Sequence, residues 1–109
     1  MLKHALIEYI HYLQIERGLS PNTLAAYERD LTRYKRFIKE ISLTSWEQVE
    51  RHHIVQFLAL LKGENKSAAT ISRVISSIRS FHQFLVSDQI VTTDVSLHIE
   101  LPKQGRTLP

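Results

Sequence analysis

The sequence has no cysteine, so disulfides and thiolate metal sites are excluded. No apolar run approaches the ~18 residues needed to span a bilayer. Lys3 is followed by neither an apolar stretch nor a small-residue cleavage site, so no secretory signal is expected. Internal repeats and low-complexity segments are absent. Strand signals are weak, because the β-prone "IVTT" is only four residues long. No Gly-rich phosphate loop is present: "KGENKS" has one glycine and lacks the P-loop spacing. No acidic residue occurs between Lys66 and Ser87.

What remains, over 109 residues, has the apolar and charged fractions of one ordinary compact domain. The net charge of +3 is mild but uneven. Residues 18–42 carry +2 and residues 62–87 carry +3, whereas 43–61 and 88–109 each carry −1 and 1–17 are neutral. Positive charge gathered in two segments points to a polyanionic partner, most commonly nucleic acid.

Apolar residues recur at helical spacing almost throughout, which predicts an all-α, four-helix bundle. Leu2, Leu6, Tyr9, Ile10 and Leu13 give a first helix ending near Arg17-Gly18. Ser20 as N-cap and Pro21 at the first helical position start a second, reaching about Ile41. Its inward residues are Leu24, Tyr27, Leu31, Tyr34, Ile38 and Ile41. "SLTSWEQV" is a connector with one short helical turn, pinned by Trp46 and Val49, with Thr44 and Glu47 at capping-box spacing. Ile54, Phe57, Leu58 and Leu61 define a third helix, broken by "KGENK". The fourth runs from near Ser67 to about Val86 with Ile71, Val74, Ile75, Ile78, Phe81 and Leu85 inward. There is room for a short fifth helix before Leu101. Residues 1–101 form the domain, and 102–109, with Pro102, Gly105 and Pro109, read as a linker.

Two outward faces stand out. The second helix turns Asn22, Ala25, Ala26, Arg29, Thr32, Arg33 and Arg36 away from its apolar side. The fourth is expected to expose Ala69, Ser72, Arg73, Ser76, Ser77, Arg79, Ser80 and Gln83, with Thr70 at the edge. Interior serines weaken a helix, and an ordinary solvent face would carry Glu, Lys and Gln instead. Small side chains let a helix approach a surface closely. Hydroxyls and arginines donate to phosphates, and arginine also reads a guanine edge. The alternative is a serine-rich solvated face. Two helices of one character, holding most of the positive charge, favour nucleic acid. Lys66 and the two N-caps, Ser20 and Ser67, lie at the helix starts, where free N–H groups also attract phosphate.

"GLSPNTLAAYERDLTRYKRF" resembles a signature of the core-binding domain of tyrosine recombinases, the phage integrase family. The resemblance rests on Leu19, Ser20, Asn22, Thr23, Ala26, Tyr27, Asp30, Leu31 and Phe37. "SAATISRVISSIRSFHQFLVSD" is similar to that domain's fourth helix through Ser67, Thr70, Arg73, Ile78, Arg79, Phe81 and Phe84-Leu85. "LPKQGRTLP" is similar to the linker into the catalytic domain. Within the family the pattern looks closest to bacterial Xer recombinases, which resolve chromosome dimers, with a phage or transposon integrase as the alternative. Many relatives have an acid or asparagine followed by proline before the last short helix; here Asp94-Val95 stands there.

The resemblance implies a SAM-like helical domain that clamps duplex DNA at a recombination half-site, with its second and fourth helices towards the major groove. The face of Asn22, Thr23, Ala26, Arg29, Arg33 and Arg36 would touch the half-site, together with Lys66, Ser67, Thr70, Arg73, Ser76, Ser77, Arg79 and Ser80. Lys103 and Arg106 would pass near phosphates. It also implies other recombinase protomers in a synaptic tetramer, a bacterial cytoplasmic, nucleoid-associated location, and no cofactor, membrane or small-molecule substrate. In the family a tyrosine attacks the scissile phosphate from the C-terminal domain, beside a His-x-x-Arg element. This sequence has no His-x-x-Arg, so it is expected to hold no catalytic residue and to be no enzyme by itself. Tyr9, Tyr27 and Tyr34 lie on apolar faces and Tyr12 flanks one, which makes them structural or DNA-proximal. Neighbouring His52 and His53 point about 100° apart on a helix and lack a completing ligand, so no metal is expected. His82 reads as a packed core histidine, and Phe84 as core or as a contact to another domain. The competing functions are a stand-alone helical DNA-binding regulator and a helical protein–protein adaptor.

Overall fold

A computed structural model of the chain describes residues 2–99. Four helices follow one another: α1 (Leu2–Ile15), α2 (Pro21–Glu40), α3 (Arg51–Gly63) and α4 (Ala68–Ser87). A single 3₁₀ turn, Trp46–Gln48, sits between α2 and α3. There is no strand among the described residues. The two long helices α2 and α4 pack on each other, and each also contacts α1 and α3. This central pair therefore carries both the core and the outward faces.

The apolar stripes meet as their spacing predicts. Leu31, Tyr34 and Ile38 of α2 interlock with Ile71, Val74, Ile75, Ile78, Phe81 and Leu85 of α4, all buried. Tyr9 and Leu13 of α1 and Ile54, Phe57 and Leu61 of α3 close the sides. Leu24, Tyr27 and Ile41 are only half-buried and pack against this core. The 3₁₀ turn is pinned by Trp46, whose indole N–H donates to the carbonyl of Leu2 at 3.1 Å and whose ring meets Phe81 edge-on at 4.8 Å. His82 is a core residue, with Nε2 2.7 Å from the Tyr34 hydroxyl. Phe84 is half-buried in an aromatic group with Tyr9 and Tyr12.

Helix starts follow the serine caps. Ser20 Oγ accepts the Thr23 N–H and Ser67 Oγ accepts the Thr70 N–H, at 3.3 and 3.1 Å. Helix ends fall within one or two residues of their expected positions. α1 stops at Ile15, two residues before the expected end, although Gly18 does take the left-handed conformation (φ 60°). The other three helices close through left-handed Ser42, Asn65 and Gln89 rather than glycine. The following N–H groups of Leu43, Lys66 and Ile90 then bond carbonyls of Ile38, Leu61 and Leu85, which satisfies the last turn. Gly63 stays helical, and Asn65 makes the break.

Two further expectations are corrected. The connector's cap is not Thr44 with Glu47. Gln48 Oε1 accepts the N–H groups of Thr44 (2.7 Å) and Ser45 (3.3 Å), because the turn begins one residue later. The segment before residue 100 forms turns rather than a fifth helix. Asp94 Oδ1 accepts from both the N–H and the hydroxyl of Ser96, at 2.9 and 2.6 Å, an Asx turn that competes with helix nucleation. Ile99 then returns to the core.

Candidate nucleic-acid interface

The outward sides of α2 and α4 enclose a cleft of about 400 Å³, walled also by the C-terminal half of α3. Arg29, Arg33 and Arg36 enter it from successive turns of α2, Arg73 and Thr70 from α4, and Lys66 from the α3–α4 loop. Helical spacing of three and four residues stacks the α2 arginines on one side. Phe57, Leu61 and Val74 form apolar parts of its lining.

The cleft is not uniformly positive. Arg73 donates from Nε and Nη2 to the two carboxylate oxygens of Asp30, both at 2.9 Å. This fork holds the guanidinium pKa above its ordinary value. The Asp30 side chain is 7% exposed and that of Arg73 44%. Arg33 pairs with Glu64 at the end of α3, with both partners partly exposed. Their hydrogen bond raises the Arg33 pKa and lowers that of the Glu64 carboxyl. Arg29, Arg36, Lys66 and Arg79 form no ion pair among the described residues.

Other expected contact residues are scattered. Asn22, Thr23, Ser67 and Ser76 are exposed, Ala26 and Arg79 half-buried. Arg79 does not line the cleft. Ser80 faces a second hollow of about 290 Å³, beside Tyr9, Tyr12 and Phe84. Ser77 was expected outward and is completely buried, at 0% exposure. It lies one position before Ile78 and three after Val74, both buried, so it falls on the inward arc of α4. Lys103 and Arg106 lie outside the described residues, as does the expected boundary at 101/102.

The sequence reading missed Asp30 and Glu64 as parts of this surface. Asp30 left a signal: it is an acid on the inward arc between Tyr27 and Tyr34, and a carboxylate there needs a partner. Glu64 left none, since its pairing depends on how α3 ends. His53 Nδ1 accepts the N–H of Glu50 at 2.8 Å, a capping role at the start of α3. Among the described residues no group of three His, Cys, Asp or Glu side chains is placed to hold a metal ion. Tyr9 and Tyr34 are buried, and burial pushes the Tyr9 phenol up to about 12, far from a nucleophile's range.

Residues 6–89 match the family model for the phage integrase N-terminal SAM-like domain. The chain belongs to that family. The helical order described above is thus that of an integrase-type N-terminal domain, and the resemblance drawn from the two helix signatures holds. Curated relatives agree. The chain is 54% identical over its whole length to a protein named tyrosine recombinase XerD from Oceanobacillus iheyensis, 37% of which it covers. Proteins of the same name from Staphylococcus saprophyticus and Staphylococcus aureus are 40% and 38% identical over 94% of this chain and 35% of theirs. The chain thus spans little more than a third of the length of these relatives. No solved structure matches it. No helix among the described residues is long and apolar enough to cross a membrane.

Proposed function

We propose that this chain is the DNA-gripping, core-binding part of a Xer-like site-specific tyrosine recombinase. It holds one side of a recombination half-site with α2 and α4 towards the major groove. The observation that carries this reading is the α2–α4 cleft, where Arg29, Arg33, Arg36, Lys66 and Arg73 converge from three elements. Cations on rigid helices fix a protein's register on a duplex through phosphates. The strand-breaking tyrosine belongs to a separate catalytic part, and this domain positions rather than reacts. Lys103 and Arg106 continue the phosphate contacts along the linker. The partners are double-stranded DNA and further recombinase protomers in a synaptic tetramer, and the setting is the bacterial nucleoid, where chromosome dimers are resolved.

A stand-alone regulator of helix-turn-helix type needs a short recognition helix after a tight turn, which the 20-residue α4 does not supply. A protein–protein adaptor predicts no salt-dependent affinity for DNA. Fluorescence anisotropy of a labelled random duplex at low and moderate salt separates the readings. Affinity that falls steeply with salt supports the proposal. The absence of any binding at low salt overturns it.

A further inference from the structure

The cleft treats its cations in two ways, and the difference has a chemical meaning. Arg29, Arg36 and Lys66 make no ion pair among the described residues, so they retain full charge and rotamer freedom. Arg73 has neither. Its Nε and Nη2 groups are locked on the Asp30 carboxylate by two bonds of 2.9 Å, and Asp30 itself is rooted in the α2–α4 interface at 7% exposure. The pair has almost no net charge, so it releases few counterions from DNA. It is poorly suited to non-specific phosphate attraction.

What the pair keeps is direction. A guanidinium carries five N–H donors, and the carboxylate uses one edge of the plane. The adjacent edge, made of Nη1 and the second N–H of Nη2, makes no hydrogen bond among the described residues and belongs to a side chain 44% exposed at the cleft. Two parallel donors on a fixed plane match the O6 and N7 acceptors of guanine. The Arg33–Glu64 pair does not share this design. Its carboxylate is as exposed as its arginine, so it anchors nothing.

We infer that Arg73 is a base-reading residue that selects guanine in the major groove, and that Asp30 is the positioning residue that aims it. The inference rests on the DNA-gripping reading above. Labour in the cleft is then divided: free cations hold the phosphates, and the neutralised, oriented arginine reads sequence. The surroundings of Asp30 fit this role. Leu31 beside it and Val74 beside Arg73 are buried, so the fork stands directly on the packed α2–α4 core.

The test is selection from a pool of short duplexes with a randomised centre, with sequencing of the bound fraction, for the wild-type chain, Arg73→Lys, Asp30→Asn and Arg36→Gln. Thermal melts of each variant accompany it. The wild type is expected to enrich guanine at one position. Arg73→Lys keeps the charge but not the planar fork, and should lose that preference by roughly 5- to 100-fold. Asp30→Asn should lose it too, while its affinity for unselected duplex holds or rises, because one negative charge is gone. Arg36→Gln should lower affinity for all sequences and keep the guanine position. Guanine enrichment that survives Arg73→Lys, or is absent from a wild type that binds DNA, overturns the base-reading role. Enrichment lost in Arg73→Lys but kept in Asp30→Asn overturns the positioning role alone. A wild type without salt-dependent binding overturns the functional reading itself. Should Asp30→Asn melt early, Arg73→Lys still decides the base-reading role, and Asp30→Glu, which displaces the fork and keeps the charge, replaces it as the test of positioning.

Discussion

The Tyr34 hydroxyl and Nε2 of His82 meet at 2.7 Å between the two central helices, both residues almost completely buried. Burial pulls the His82 pKa down to about 4, with the Asp94 charge opposing weakly. The folded protein therefore keeps His82 neutral at pH values where the unfolded chain protonates it.

The sign of the pH dependence follows. Between the unfolded value near 6.5 and about 4 the unfolded state binds more protons, so stability falls as pH falls through that window. The loss from this one group is on the order of 3 kcal/mol by pH 4. Urea midpoints at pH 7 and pH 5 should differ in the wild type. The difference should shrink in His82→Gln. An equal difference in both proteins would show that His82 is not the group responsible.

Leu31 and Ile78 face each other's helices at 1% exposure. Alanine at either should cost about 2–5 kcal/mol through lost transfer energy and the cavity left behind. That is a large share of the stability of so small a domain. Thermal melting reports it; unchanged melting in both variants would mean that the α2–α4 packing is wrong.

The Arg73–Asp30 fork should respond unequally to loss of either partner. Arg73→Ala strands a nearly buried carboxylate and should destabilise by roughly 1–3 kcal/mol. Asp30→Ala releases a guanidinium already 44% exposed to water and should cost less. Chemical denaturation of the two variants checks the order, which a purely surface ion pair would not show.

Glu64→Ala should leave the fold intact, because Glu64 is exposed, and free Arg33 for phosphate. The salt dependence of DNA affinity should steepen by about one unit, with tighter binding at low salt. Arg29→Ala and Arg36→Ala should each flatten it by about one unit for every sequence alike, with unaltered circular dichroism. Anisotropy titrations across a salt series measure all three. Unchanged slopes in the two arginine variants would remove α2 from the interface.

The sequence by itself determined the helices and most of the core. Periodic apolar residues and the Ser20 and Ser67 caps are local features, and local physics suffices to place them. It determined the gathering of positive charge on α2 and α4, since charge along a helix face is also read one residue at a time. Only the tertiary structure decided how those charges are used. Asp30 and Arg73 are 43 residues apart and Arg33 and Glu64 are 31 apart, so neither pairing leaves a periodic trace. The tertiary structure also decided that Ser77 turns inward, because a residue at the edge of an apolar arc is buried or exposed according to how closely the neighbouring helix approaches. The ends of α2 and α4 fall within a residue of their expected positions and α3 stops inside the expected KGENK break, but only the structure showed that left-handed Ser42, Asn65 and Gln89, rather than glycine, close them. Long-range pairing and close packing depend on the relative placement of helices, and no single segment contains that information.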